Sequence, residues 1–278
     1  MNRRFSSLLA AAVLLVATPA PVQAQAQQPW APPTGSTPIS YGQSLTVRSA
    51  ALGRDVTVTV HEPLRGWGPG AIVYALVDPP EGDRLAAELR QRELESSMYG
   101  VVVVTIDRPG TGRQAWEASA IADFSLQDYV RYDNAVIASR TSAFERFLYD
   151  ELVPLVDAEW PVTGERILAG EDWGGGFVMR MAAKRPDGFD RHVAYGPNFQ
   201  SGDLEPILAA AVAHPRHVGR VDVFYHRGYG LDAAQMERLL GWLVENGSYT
   251  DVGAMDMNAS EDDFIANVVS GASMVPPY

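Results

Sequence analysis

From residue 41 onward the apolar residues fall into short blocks of two kinds, and the blocks alternate. RDVTVTVHEPL sets β-branched residues against polar ones with period two, which predicts a first strand with one exposed side. AIVYALVD and VVVVTIDR are unbroken apolar runs, the pattern of strands covered on both faces in a parallel sheet. Between them GDRLAAELRQRELESS has the composition of a helix. TSAFERFLYDELVPLVDAEW brings Phe144, Phe147, Leu148, Leu152, Leu155 and Val156 onto one helical face. ERILAG, HVAYGP and RVDVFYHRG are further short strands. AAQMERLLGWLVENG is a helix with Gly247 just beyond its end, DVGAMDM a last strand and FIANVVSGASMV a last helix. Strands interleaved with helices predict an α/β fold built on a doubly wound, mostly parallel sheet. The stretch 109–140 is long and irregular, either a lid or binding loop or a surface excursion.

The first forty residues have a different pattern. MNRRF is a positive start, SLLAAAVLLVA a short apolar run, and small residues then lead to VQAQAQ with cleavage expected after Ala24 or Ala26. This predicts a Sec-type signal peptide over 1–24, a flexible Gln/Pro/Ser/Thr-rich lead-in over 25–40 and a single domain over 41–278, with a periplasmic or secreted location. The apolar run is short for a bilayer span, so no stable membrane anchor is expected after cleavage. The chain has no cysteine, which removes disulfide stapling and cysteine-linked lipid anchoring. Its formal net charge of −12 argues against nucleic acid and anionic membrane surfaces as partners.

The chemistry concentrates at GEDWGG, residues 170–175. It follows the strand ERILA and precedes the helical GFVMRMAAKRPDGF. Strand, glycine turn and helix are the setting of the nucleophile elbow G-x-S-x-G, with Asp172 here in the place of the serine. SAALGRDVTVTVHEPL, VVVVTIDR, AFERFLYDELVPLVDAEWPVTGERILAG, the elbow and AAKRPDGFDRHVAYGPNF together resemble the α/β-hydrolase esterases of the enterochelin-esterase-like, or esterase D-like, group. In that group a segment ending ELIPLVDARY leads to ERILAGHSLGG and then to RPDLFDRYIAISPS. The resemblance covers about residues 49–198 and continues beyond only in the order of elements. It implies the α/β-hydrolase fold and, for an intact member, hydrolysis or transfer of an ester through Ser, Asp or Glu, and His, with no cofactor. The departures below make a catalytically degenerate member the leading expectation, binding a small-molecule ester, a glycan or another pocket ligand, with an active hydrolase using Asp172 as nucleophile or base, or a protein-interaction module, as the alternatives.

Role by role, this chain departs from that pattern. A carboxylate at residue 172 needs no base to attack, but it is a poor nucleophile toward ordinary esters. GEDWGG also resembles the HDWGG elbow of epoxide hydrolases and haloalkane dehalogenases, in which an aspartate attacks saturated carbon. Either chemistry requires a histidine after the last strand. The histidines are His61, His192, His214, His217 and His226, so none lies in the final 52 residues. His226 is the candidate closest to the expected sheet edge, against the alternative of a packed or solvent-facing side chain. Asp232 is the carboxylate nearest the acid position, against the alternative of a helix N-cap before AAQMERLL. One anion-hole donor would be the backbone N–H of Trp173. The other would come from Val77-Asp78-Pro79-Pro80, where proline has no N–H to give. Trp173, Asp78 and Glu171 are the candidate binding residues, with Trp67, Trp116, Tyr129, Tyr132 and Phe199 as further aromatics for a pocket wall. Oxygen side chains alternate from Asp256 to Asp262 as in a calcium loop. However, Glu261 replaces the loop's glycine and Asn267 its final glutamate, so a solvated acidic turn is expected and no metal.

Overall fold

The computed structural model describes residues 42–64, 69–95, 100–107, 142–160, 164–198, 204–211, 220–225, 233–245, 251–256 and residue 268. Among the described residues eight strands form one sheet: β1 (Gln43–Ser49), β2 (Arg54–His61), β3 (Pro69–Leu76), β4 (Gly100–Ile106), β5 (Glu165–Glu171), β6 (Arg191–Tyr195), β7 (Arg220–Tyr225) and β8 (Asp251–Asp256), in the spatial order β1-β2-β4-β3-β5-β6-β7-β8. β1 runs antiparallel to β2 and β2 antiparallel to β4, while every other neighbour is parallel. Among the described residues the longer α-helices are α1 (Pro79–Glu95), α2 (Val153–Glu159), α3 (Trp173–Lys184), α4 (Leu204–Ala211) and α5 (Ala233–Glu245).

Alternate residues of β3 enter two separate cores. Ile72, Tyr74 and Leu76 pack with Phe144, Phe147, Phe177 and Phe189 on one face. Ala71, Val73 and Ala75 pack with Leu85 and Leu89 of α1 on the other. Helices therefore cover both faces, as the unbroken apolar runs predict, and the fold is the α/β class with a doubly wound, mostly parallel sheet.

Two details differ from the sequence reading. RDVTVTVHEPL contains the second strand, not the first. QSLTVRS forms β1 ahead of it and turns back through Gly53, whose φ is +65°. Its outer half is exposed, so its apolar signal is weak. The long helix before β5 is also not uniform. Residues 142–146 are α-helical, Phe147–Leu152 form a π-helical turn, and α2 follows. Within that turn the Val153 N–H bonds to the Leu148 carbonyl, five residues back. Pro154 lacks the N–H an α-helix would use and crowds the preceding turn, and the wider turn accommodates both defects. The predicted apolar face survives: Phe144, Phe147, Leu148, Leu152 and Val156 are buried and Leu155 partly so.

The N-terminal end of the parallel strands carries a charge network. Arg191 and Asp222 are a buried ion pair, with an Nε–Oδ2 distance of 2.6 Å, and Arg220 Nε donates to the same carboxylate at 3.0 Å. Arg166 Nη2 bonds Asp157 Oδ2 at 2.8 Å, and its backbone N–H donates to Asp190 Oδ2 at 2.8 Å. Glu165 sits among these groups, and burial pushes its carboxyl above the usual range. Among the described residues no helix is long and apolar enough to cross a membrane.

Candidate functional site

β5 ends at Glu171, α3 begins at Trp173, and Asp172 makes the turn between them. Its φ of 52° and ψ of −116° make it the only non-glycine residue with positive φ among those described. An L-residue holds this conformation only where its surroundings impose it, at a cost of about 1–3 kcal/mol. Three backbone hydrogen bonds do so here. The Asp172 N–H donates to the Tyr195 carbonyl at 3.0 Å. Its own carbonyl accepts from Gly176 N–H at 3.0 Å and from Asn198 N–H at 2.9 Å. The glycines complete the turn. A methyl group on Gly170 would stand 2.5 Å from the backbone of Gly174, and one on Gly174 would run into the Leu76 carbonyl. The first glycine thus lets strand and helix fold back on each other. The second lets α3 sit on the end of β3, which sets the 77–80 loop beside the elbow.

The Asp172 side chain is partly exposed, and its Oδ1 accepts a hydrogen bond from Asn198 Nδ2 at 2.9 Å. Asn198 follows the end of β6, the parallel neighbour of β5, so one residue holds both the backbone and the carboxylate of the elbow. Sequence reasoning missed this residue. The available signal was positional: a strand paired in parallel with the elbow strand must end beside the elbow, and GPN comes directly after that strand.

The loop after β3 opens α1. Asp78 Oδ1 accepts from the Glu81 N–H at 3.1 Å and its carbonyl from the Gly82 N–H at 3.0 Å, which makes it the N-cap of α1. Pro79 and Pro80 then occupy the first turn of α1, where a missing N–H costs the helix nothing. Glu171 is partly buried at the tip of β5, opposite Tyr195. The Trp173 indole is 7% exposed and belongs to the core. It is a floor beneath the elbow rather than an open wall. At the tip of β4, Asp107 Oδ2 accepts from the Thr59 hydroxyl at 3.3 Å. Burial raises its pKa, the Thr59 bond partly offsets this, and Asp83 adds to the rise.

His192 is fully buried on β6 with its ring edge-on to Phe189 at 5.9 Å, a structural position. His226, Asp232, His214, His217, the 109–140 loop, the acidic turn beyond Asp256, the FIANVV segment apart from Val268, Trp67, Trp116, Tyr129, Tyr132, Phe199 and the predicted signal peptide and lead-in all lie outside the described residues. Among the described residues no group of three or more His, Cys, Asp or Glu side chains is arranged to hold a metal ion.

A family model named Esterase, described as "Putative esterase", matches residues 49–224, which include the elbow, Asp78 and Asn198. No curated protein matches the chain. Solved structures match across most of it. Siderophore hydrolase EstB from Aspergillus nidulans superposes with a TM-score of 0.69 at 16% identity, covering 87% of this chain and 96% of that one. An IroE-like serine hydrolase from Shewanella oneidensis gives 0.62 at 17% identity over 83% and 79%. The enterobactin esterase FES from Shigella flexneri gives 0.57 at 15% identity over 86% and 59%. At these identities the likeness concerns the fold.

Proposed function

The chain belongs to the Esterase family, and from that premise we propose an exported α/β-hydrolase-fold protein that no longer turns over esters and keeps the site as a pocket for a small-molecule or glycan ligand. The observation that carries this reading is Asp172 itself, held in the strained elbow conformation with its carboxylate where a serine hydroxyl would stand. A fixed negative charge there opposes the oxyanion that ester cleavage must build. Two further features support it. Pro79 and Pro80 have no N–H for the second anion-hole donor, and the loss of one such donor typically slows a reaction by about 10²–10³. No histidine occurs after His226 to activate a hydrolytic water. The retained backbone strain argues that the position is still used, because a chain with no use for the elbow gains from relaxing it. The apolar run behind MNRRF supports export.

A second reading has an observation of its own. The Asn198 clasp orients the carboxylate at the elbow apex, as displacement at saturated carbon by Asp172 would require. Turnover of aryl esters, epoxides and alkyl halides by the mature protein, with Asp172→Asn beside it, separates the two. The expected result is no multiple turnover above the variant. Sustained turnover of any of the three that disappears in Asp172→Asn would replace the binding reading with catalysis. N-terminal sequencing of the exported chain, expected to begin at Gln25 or Gln27, tests the location.

A further inference from the structure

Two polar atoms in the larger core serve neither the sheet nor the elbow. Tyr74, on β3, is fully buried, and Tyr149, in the π-helical turn, is 9% exposed. Both rings stand edge-on to the ring of Phe189, at centroid distances of 5.5 and 5.3 Å. Both Oη atoms are themselves buried, and neither has a hydrogen-bond partner among the described residues. Burial pushes the pKa of each hydroxyl well above its ordinary value, so both stay protonated and each keeps one hydrogen to donate. Packing alone does not require these oxygens. Phe144, Phe147, Phe177 and Phe189 fill the same core with phenyl rings, and a phenylalanine at residue 74 or 149 would keep the ring contacts. A buried hydroxyl without a partner is a net cost to the fold, whereas the same hydroxyl with one is a gain. Two such groups against one ring point to a partner of one kind.

We propose that the Tyr74 and Tyr149 hydroxyls mark an internal hydration site, in which each donates to a water molecule held in the core around Phe189, between β3, the π-helical turn and the start of β6. Water suits these groups chemically. It accepts the phenolic hydrogen, returns hydrogens to the oxygens, needs no counter-charge and is smaller than any side chain that could do the same. The Arg185 guanidinium lies 4.1 Å from the centre of the Tyr149 ring and its side chain is 37% exposed, so one layer separates this end of the cluster from solvent. This water site is independent of whether the elbow holds a ligand.

High-resolution crystals of the parent protein test it first: ordered density is expected about 2.7–2.8 Å from each Oη. Tyr74→Phe and Tyr149→Phe should each lose that density and unfold more readily in urea, with an unfolding constant about fivefold larger for each lost hydrogen bond. Magnetic relaxation dispersion of the solvent should register fewer long-lived internal waters in each variant than in the parent. A Phe variant more stable than the parent would show that the hydroxyl it removed had no partner, and the site is then wrong. Parent crystals lacking density at one or both oxygens overturn it as well, as does a number of internal waters that is unchanged in both variants. If one variant folds poorly, the parent density and the other variant still decide.

Discussion

The two ends of the parallel strands carry charge for opposite purposes. At the N-terminal end, Arg191, Arg220 and Asp222 meet on β6 and β7 with short, mutual ion pairs, and Arg166 is matched to Asp157. The backbone there shows no positive φ outside glycine among the described residues. At the C-terminal end, the elbow carboxylate is held by an amide, Asp78 by a helix start, and Asp107 by a hydroxyl. The backbone beneath Asp172 is strained. Ion pairs at the lower end tie neighbouring strands together, whereas the hydrogen bonds at the upper end fix the directions of side chains beside the elbow. Parallel strands direct their ends this way in general, because loops at the carboxyl edge are free to vary over a rigid sheet.

The contrast is broken most severely at the lower end. Asp222→Ala leaves the buried Arg191 guanidinium without its carboxylate and should cost about 3–5 kcal/mol in urea unfolding, with ligand preference unchanged in the protein that remains folded. A loss below about 1 kcal/mol would show that water reaches Arg191 and that the pair is not structural. Next comes Gly174→Ala, whose methyl group must displace the Leu76 carbonyl or α3 itself. A loss of about 1–3 kcal/mol is expected, accompanied by a change in binding because the elbow moves with the helix. A neutral result there would mean that the helix start has slack the close approach does not suggest.

Asp172→Gly sharpens the comparison from the other side. Removing the side chain from a positive-φ position should raise stability by up to about 1 kcal/mol while weakening ligand binding at the elbow, a trade between stability and function confined to one residue. A loss of stability would show that the Asn198 hydrogen bond outweighs the strain. The smallest effect is expected at Asp107. Burial raises its folded pKa, so the native state binds its proton more tightly than the unfolded chain does. Its relative contribution is fully present below the ordinary carboxylate pKa and is lost as pH rises through the raised folded value. Asp107→Asn should therefore increase the urea midpoint most near neutral pH, and the gain should shrink on acidification. A gain that grows on acidification would reverse the assigned sign.

Most of the fold was legible because the signals are local and redundant. β3 and β4 are continuous apolar runs, a pattern that sheets buried on both faces demand; α1 was legible from its composition, and α5 from its composition and Gly247 beyond its end. β1 was missed because an edge strand buries only part of one side, and the π-helical turn because its cause, Pro154, also fits an ordinary helix start. At the site, Asp172, Trp173 and Asp78 were legible from motif and position. Their roles were less so: the Trp173 indole lies in the core, and Asp78 caps α1.

The sequence alone thus determined the class of fold, the place of the elbow and the chemical type of the residue at its apex. Each of these depends on periodicity or on neighbours within a few positions. The tertiary structure decided that Asp172 is bent into a conformation no local preference would choose, and that Asn198, twenty-six residues away, holds it there. That contact exists because β5 and β6 run side by side and end together. Sheet pairing joins residues by strand order, and a linear pattern does not carry strand order.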